Sequence, residues 1–525
     1  MQAARTLALV LSLAPVTAAA SEPAVVAHYD EAQRPASVAL TNPAETVVEL
    51  LPPVDEAAEG LPAPAVVPLS VDDVVAAIYA SFPGLEAARR ERQIASGQAL
   101  EAMGAFDTQL SGEALSKSLG FYENYRYGLA AKQYAWGGAQ VFSGYRLGRG
   151  IFEPWYLERE TNKGGEFKAG FAIPLLRDRD IDKRRAAVFK SRLQRQAAEP
   201  LVQMEIIDAV LAGSTSFWDW VAAGQRLQIA REQLDLARTR QDKLRRSVEL
   251  GSLKGIELVD NQRLIVSRQA KLIDAERKLE QSAIKLSIYL RGFDGTPRLA
   301  TPDQLPATFP AVTAPDTERL PLEISQALAM RPELRMLTIA SQQASVELRQ
   351  ASNMLLPAVN GVMTAAQDVG EPTSSKRDKS ELELEAGLVV DVPLQRRAAR
   401  GKIQASRGKI AQLAAKRQLT EQKIAADVRS LVVSLQADFQ QIEQAREYVD
   451  LAQQMEEAEL TKFAAGNSNI LMINLREQAV AEAQLLVVDA TADYFISRAA
   501  LHAATAGELT GAGGPQGAAD AAVQP

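Results

Sequence analysis

The sequence predicts a mixed α/β membrane protein built from one unit used twice, each copy running helix, strand, strand, long helix, tight turn, returning helix. Three observations carry this. First, a helical seam occurs in both halves. In the first it runs through Leu227, Ala230, Leu234, Ala237, Gln241, Leu244 and Val248 and stops at Gly251. In the second it runs through Ile442, Ala445, Val449, Ala452, Glu456, Glu459 and Phe463 and stops at Gly466. The 3,4,3,4 spacing is that of a long helix packed along its length on other helices. A glycine followed by small polar residues and then renewed helical pattern is the tip of a helical hairpin. Second, along residues 381–392 Leu382, Leu384, Ala386, Leu388, Val390 and Val392 alternate with Glu381, Glu383, Glu385, Gly387, Val389 and Asp391, over the length expected of a membrane barrel strand. Third, the order of these features repeats, and an internal duplication marks each half as one structural unit.

The chain has 525 residues, 58 basic and 65 acidic, for a net charge of −7. There is no basic excess of the kind that binds nucleic acid. Residues 1–20 have the form of a secretory signal peptide, with Arg5 before an apolar core and Ala18-Ala19-Ala20 before Ser21. That apolar core is too short to span a bilayer as a helix, and no other stretch approaches ~20 uncharged apolar residues. With no cysteine, the exported chain uses no disulfide and offers no thiol for an N-terminal lipid. Residues 21–66, rich in Pro, Ala and Val, read as a disordered leader, and 507–525 as a disordered tail.

The first unit spans 67–292. Ser70 and Asp73 form a near capping box at its opening helix, which Pro83 interrupts. Its strands are placed at about 107–174, where helical periodicity is lost and aromatic residues gather. These are Phe121, Tyr122, Tyr125, Tyr127, Tyr134, Trp136, Phe142, Tyr145, Phe152, Trp155 and Tyr156. With little apolar material beside them to build a soluble core, such rings suit a membrane–water boundary. A Pro-rich connector at 293–321 leads to the second unit, 322–506, with strands at about 357–393. Each strand region ends in Pro-Leu, at Pro174-Leu175 and Pro393-Leu394, followed by a basic cluster. Those cations either meet a headgroup layer or solvate a helix start. From Pro174 to Gly251, and from Pro393 to Gly466, an unbroken helix would reach on the order of 100 Å.

The order of these segments, twice over, resembles the TolC family of outer-membrane efflux proteins. The residues that carry the resemblance are Leu322 to Leu334 with the Ala-Leu-Ala and Arg331-Pro332-Glu333-Leu334 pattern, and its echo at Phe82-Pro83-Gly84-Leu85. The two Pro-Leu pairs and the tips that begin at Gly251 and Gly466 add to them. The resemblance implies a homotrimer in which four strands from each chain close a 12-stranded β-barrel in the outer membrane. A long coiled α-helical barrel then extends into the periplasm. It further implies a channel-tunnel of a tripartite efflux or type I secretion system, with a periplasmic adaptor and an inner-membrane transporter as partners. On that reading Gly251, Ser252, Gly466 and Asn467 are adaptor-docking tips, and Glu257, Asp260, Met472 and Leu475 surround the periplasmic aperture. Family members often carry acidic residues at the last two positions; here Met472 and Leu475 stand there, and the carboxylates lie in the first repeat instead. A soluble periplasmic adaptor built on a helical hairpin is the competing reading, although an adaptor has one hairpin and compact β modules. No catalytic motif, metal-binding cluster or cofactor site is legible, and the two histidines, His28 and His502, are isolated. The exported substrate is not encoded in any motif.

Overall fold

The computed structural model describes residues 67–506, apart from 252, 253, 293 and 375–377. The expected signal peptide, leader and tail, and Ser252, lie outside the described residues. The helices are α1 (Val71–Ser81), α2 (Pro83–Met103), α3 (Lys183–Glu249), α4 (Ile256–Leu286), α5 (Leu320–Met330), α6 (Pro332–Asn353), α7 (Arg397–Ala464) and α8 (Ile470–Thr505). The strands are β1 (Gln109–Lys117), β2 (Asn124–Tyr134), β3 (Gln140–Gly150), β4 (Glu166–Pro174), β5 (Ala358–Asp368) and β6 (Glu383–Asp391).

Local chemistry sets the boundaries. The Ser70 hydroxyl accepts from the Asp73 N–H while the Asp73 carboxylate accepts from Ser70, closing a capping box on α1. Pro83 and Pro332 each open a new helix at its first turn, where the missing N–H costs nothing, so the entry to each repeat is two helices in line. Helix α3 runs through Pro200 without ending. The seam falls where the spacing places it: Leu227, Leu234, Ala237 and Leu244 of α3 are buried, as are Ile442, Ala445, Ala452 and Glu459 of α7.

The main core gathers the middle of α3, the ends of α4 and α8, and the Pro-rich connector. Phe217, Trp218, Trp220, Tyr494 and Phe495 are buried together, with Phe309 of the connector against them. Trp218 stacks on Phe495 at 4.3 Å between ring centroids, an offset contact that adds about 0.5–1.5 kcal/mol beyond its buried area. The Tyr494 hydroxyl donates to the Thr313 carbonyl at 2.9 Å, so the connector is laced to the helices along its length.

The sheet corrects the expected strand count. Six antiparallel strands follow one another in chain order, four before the Pro-rich connector and two after it. The extra pair is the β2–β3 hairpin, whose turn contains Gly137 and Gly138; Gly138 has φ +88°, a conformation that favours glycine. Three such chains hold eighteen strands, not twelve.

Candidate membrane wall, tunnel helices and hairpin tips

The register of the sheet brings the alternating residues of all six strands onto common faces. Leu129 of β2 lies opposite Gly112 of β1 and Tyr145 of β3; Tyr145 lies opposite Phe167 of β4. Phe167 pairs with Gln367 of β5, and along β5 Val359, Gly361 and Met363 pair with Val390, Leu388 and Ala386 of β6. One face therefore carries Leu110, Tyr125, Tyr127, Val141, Leu147, Phe171, Ile173, Leu384 and their neighbours. Its one charged strand residue is Arg149, at the end far from the helices, where the guanidinium donates to the carbonyls of Thr161 and Asn162. The opposite face carries Glu113, Lys117, Arg126, Lys132, Arg146, Glu166, Lys168, Asp368, Glu383, Glu385 and Asp391. Leu129, Phe167, Leu384 and Leu388 are each more than half exposed, so the apolar face has no protein cover in the single chain. A period-two sheet with lipid on one side and water on the other has this pattern. The outer edges of β1 and β6 are unpaired, and such edges are not tolerated in lipid. Among the described residues no helix is long and apolar enough to cross a membrane.

The aromatic residues of the strand region divide between the two ends of the sheet. Tyr125 and Tyr127 stand exposed on the apolar face near its distal end. Trp136, at the opposite end, packs edge-on against Phe189 at the start of α3 and beside Phe106. Within the first basic cluster, Arg179 and Lys183 are exposed, while two other members make specific contacts. Arg185 is buried and clamps the strand-to-helix corner. Its guanidinium donates to the Asp182 carboxylate at 3.1 Å, to the carbonyls of Arg179 and Asp180 at 2.7 and 3.1 Å, and to the carbonyl of Asp178. Arg184 lies 3.4 Å above the Tyr134 ring, a cation–π contact.

At the other end of the helices are the expected tip residues. Gly251 and Gly466 both end their helices with positive φ, +74° and +76°, and a Cβ at either would meet nothing within 4 Å. Asn467 is exposed beside Gly466, and its N–H donates to the Lys462 carbonyl at 2.9 Å. Glu257 and Asp260 occupy the first turns of α4 and are half-buried. Asp260 is paired to Arg263 of its own helix at 3.0 Å, which offsets part of its charge. Met472 is half-buried in the first turn of α8, and Leu475 is exposed. Leu475 lines a groove of about 480 Å³ between α3, α4 and α8 together with Arg263; Glu257 and Met472 do not line it.

Sequence reasoning missed a buried ionic cluster that joins all four long helices. Glu477 of α8 is 2% exposed; one carboxylate oxygen pairs with Arg240 of α3 and the other with Arg268 of α4 at 2.8 Å. Arg268 also donates to the Gln233 carbonyl at 2.5 Å, and Arg240 to the Asn474 side chain at 2.6 Å. Burial, together with the Arg240 cation, pushes the Arg268 guanidinium down to about 10. Glu456 of α7 acts electrostatically on both arginines, and burial raises its own carboxyl above the ordinary value. The signal was present in the second seam, where Glu456 and Glu459 stand in apolar positions. Glu459 accepts from the Ser468 hydroxyl and lies 4.0 Å from Arg476 and Lys462.

Comparisons with known proteins agree with this geometry. Residues 323–507 match the sequence model of the family described as outer membrane efflux protein. No curated protein sequence matches the chain. Among solved structures, the chain is similar to CusC, described for its folding and transmembrane channel formation. They share 16% identity with a TM-score of 0.60, over 84% of this chain and 93% of that one. It is also similar to the outer membrane protein VceC of Vibrio cholerae, with 14% identity, TM-score 0.60, and coverage of 83% and 95%. The open state of the MtrE outer membrane channel of Neisseria gonorrhoeae gives 14% identity, TM-score 0.59, and coverage of 84% and 89%. Residues 323–507 thus resemble the outer membrane efflux protein family in sequence, and the chain as a whole shares the fold of solved outer-membrane channels.

Proposed function

We propose that three copies of this chain form a channel-tunnel that passes substrate across the periplasm and the outer membrane. The observation that carries this is the six-stranded sheet, apolar on one face and charged on the other, with both edges open. Open edges in lipid require partners, and another copy of the same chain supplies matching ones. Three copies give eighteen strands. At ~4.8 Å between strands and a tilt of ~40°, that closes a barrel about 36 Å across, against about 24 Å for twelve strands. The helices α3, α4, α7 and α8 continue the wall as the tunnel. An inner-membrane transporter and a periplasmic adaptor are the partners this architecture calls for, in efflux or type I secretion. A free-standing adaptor has no use for a sheet with an uncovered apolar face.

The hairpin tips Gly251, Ser252, Gly466 and Asn467 are the docking surface for the adaptor, supported by the open space around both glycines. Glu257, Asp260, Met472 and Leu475 surround the aperture just beyond them. If the carboxylates face the pore, a narrow mouth focuses their field and favours cations. Two measurements test the proposal. The chain should be extracted from membranes only by detergent, as a trimer that forms discrete channels in planar bilayers; a monodisperse monomer without detergent refutes the channel. Glu257→Ala/Asp260→Ala should lower the cation preference read from the reversal potential. An unchanged preference removes the carboxylates from the pore and leaves Met472 and Leu475 as an apolar gate.

A further inference from the structure

Three connections join strands at the end of the sheet away from the helices, and the β3–β4 connection, residues 151–165, does not run clear of it. Gly148 lies on the charged face, two residues beyond Arg146. A Cβ at Gly148 would collide with the Arg159 carbonyl oxygen and stand 3.4 Å from the Phe152 ring, so this segment lies directly against that face. Phe152 is 4% exposed. On the same face, Lys117 of β1 pairs with Glu153 at 2.9 Å. That hydrogen bond, aided by the charges of Lys117 and Arg126, holds the Glu153 carboxyl below its ordinary value. The returning limb is tied as well: the Thr161 N–H donates to the Gly148 carbonyl at 3.2 Å, and the Asn162 N–H donates to the Asp368 carboxylate of β5 at 2.7 Å.

We propose that residues 152–160 form a constriction folded into the outer mouth of the barrel. The inference rests on the channel reading, which makes the charged face the lumen wall. A loop bound to that face narrows the pore, whereas a loop rising into water would not. It also gives the extra hairpin a consequence: β2 and β3 widen the barrel and carry Arg126 and Gly148, the wall against which the loop is seated. Three loops, one from each copy, then set the size limit at the outer mouth, separately from the hairpin tips at the far end.

The test is polymer exclusion in planar bilayers. Neutral poly(ethylene glycol)s of graded size are added to one side at a time, and the largest that alters conductance from each side is recorded. Replacing residues 153–159 by a short Gly-Ser linker should raise the exclusion size from the outer side alone. Because the chain has no cysteine, Trp155→Cys provides a second and milder variant with a unique thiol. Coupling a bulky maleimide there should lower the exclusion size from the same side, while Leu119→Cys on the β1–β2 loop should not respond. Channels whose outer exclusion size is unmoved by either change overturn the constriction. Failure of the wild-type chain to form any channel would strike the channel reading instead.

Discussion

Glu477 is the residue whose removal should loosen the long helices most. It lies between two guanidinium groups that are themselves 14% and 7% exposed at the side chain, and it is their shared counter-ion. Glu477→Ala leaves Arg240 and Arg268 buried beside each other with no carboxylate between them. Breaking a buried pair from one side costs about 3–5 kcal/mol, because the remaining charge stays desolvated. Here two charges remain, and burial, followed by the Arg240 cation, already depresses the Arg268 guanidinium. A local cost of that size raises the opening of α8 from α3 and α4 by roughly a hundred- to several-thousand-fold. Native-state hydrogen exchange on the detergent-solubilised protein reads this directly at amides of α8 near Glu477. The sheet, which shares no contact with the cluster, should keep its protection. Adding Arg268→Met to Glu477→Ala should recover a large part of the loss, since it removes one of the stranded cations. If the single variant changes protection by less than about tenfold, or the second substitution deepens the loss additively, the cluster does not hold the helices together and the reasoning fails.

Other expectations follow from the same geometry. Arg185→Met removes the buried guanidinium that ties the carbonyls of Asp178, Arg179 and Asp180 to the corner and leaves those acceptors unpaired by it; the heat-sensitive oligomer in outer-membrane fractions should fall steeply, and normal yield would show that the corner folds without its clamp. Gly138→Val combines a positive φ with a Cβ 2.8 Å from the Asp178 carbonyl oxygen and 2.9 Å from Pro174, for a cost of about 1–3 kcal/mol in the β2–β3 hairpin, measured as earlier unfolding of the barrel. Gly466→Asn, which tolerates left-handed backbone, should preserve the α7–α8 turn, while a bulky β-branched residue there should both strain the turn and block export; export unaffected by either argues against docking at the tip. At Asp493 of α8, burial and then the Asp438 and Asp489 carboxylates raise the carboxyl above its ordinary 3.8. An acid raised in the folded state favours folding below that unfolded value and loses the contribution as pH rises through its folded value. Asp493→Asn should therefore raise Tm at neutral pH, with the gain vanishing below about pH 4; a gain that persists there would assign it to packing.

The sequence by itself determined what depends on period and local chemistry. The capping box at Ser70 and Asp73, the proline breaks at Pro83 and Pro332, and the glycine tips at Gly251 and Gly466 are interactions within a few residues, and each is where the sequence places it. The seam of α3 and α7 was legible because helical spacing fixes which side chains share a face. So was β6, whose alternation needs no partner to be recognised. The β2–β3 hairpin left a readable trace in Gly137-Gly138 between runs of alternating aromatic residues, but the aromatic count spoke for the membrane and not for the number of strands. Tertiary structure decided everything that depends on which distant residues meet. That Glu456 and Glu459 sit in a helical seam is visible in the chain; that Arg240 and Arg268, some two hundred residues earlier, supply the nearby positive charge for Glu456 and the direct ion-pair partners of Glu477 is not. Likewise the register that collects six strands onto one apolar face is set by pairing between the repeats, at β4 and β5, and sequence separation carries no information about it. The same is true of Glu153, an ordinary loop carboxylate in the sequence, which only the folded chain brings to Lys117 on the charged face of the sheet.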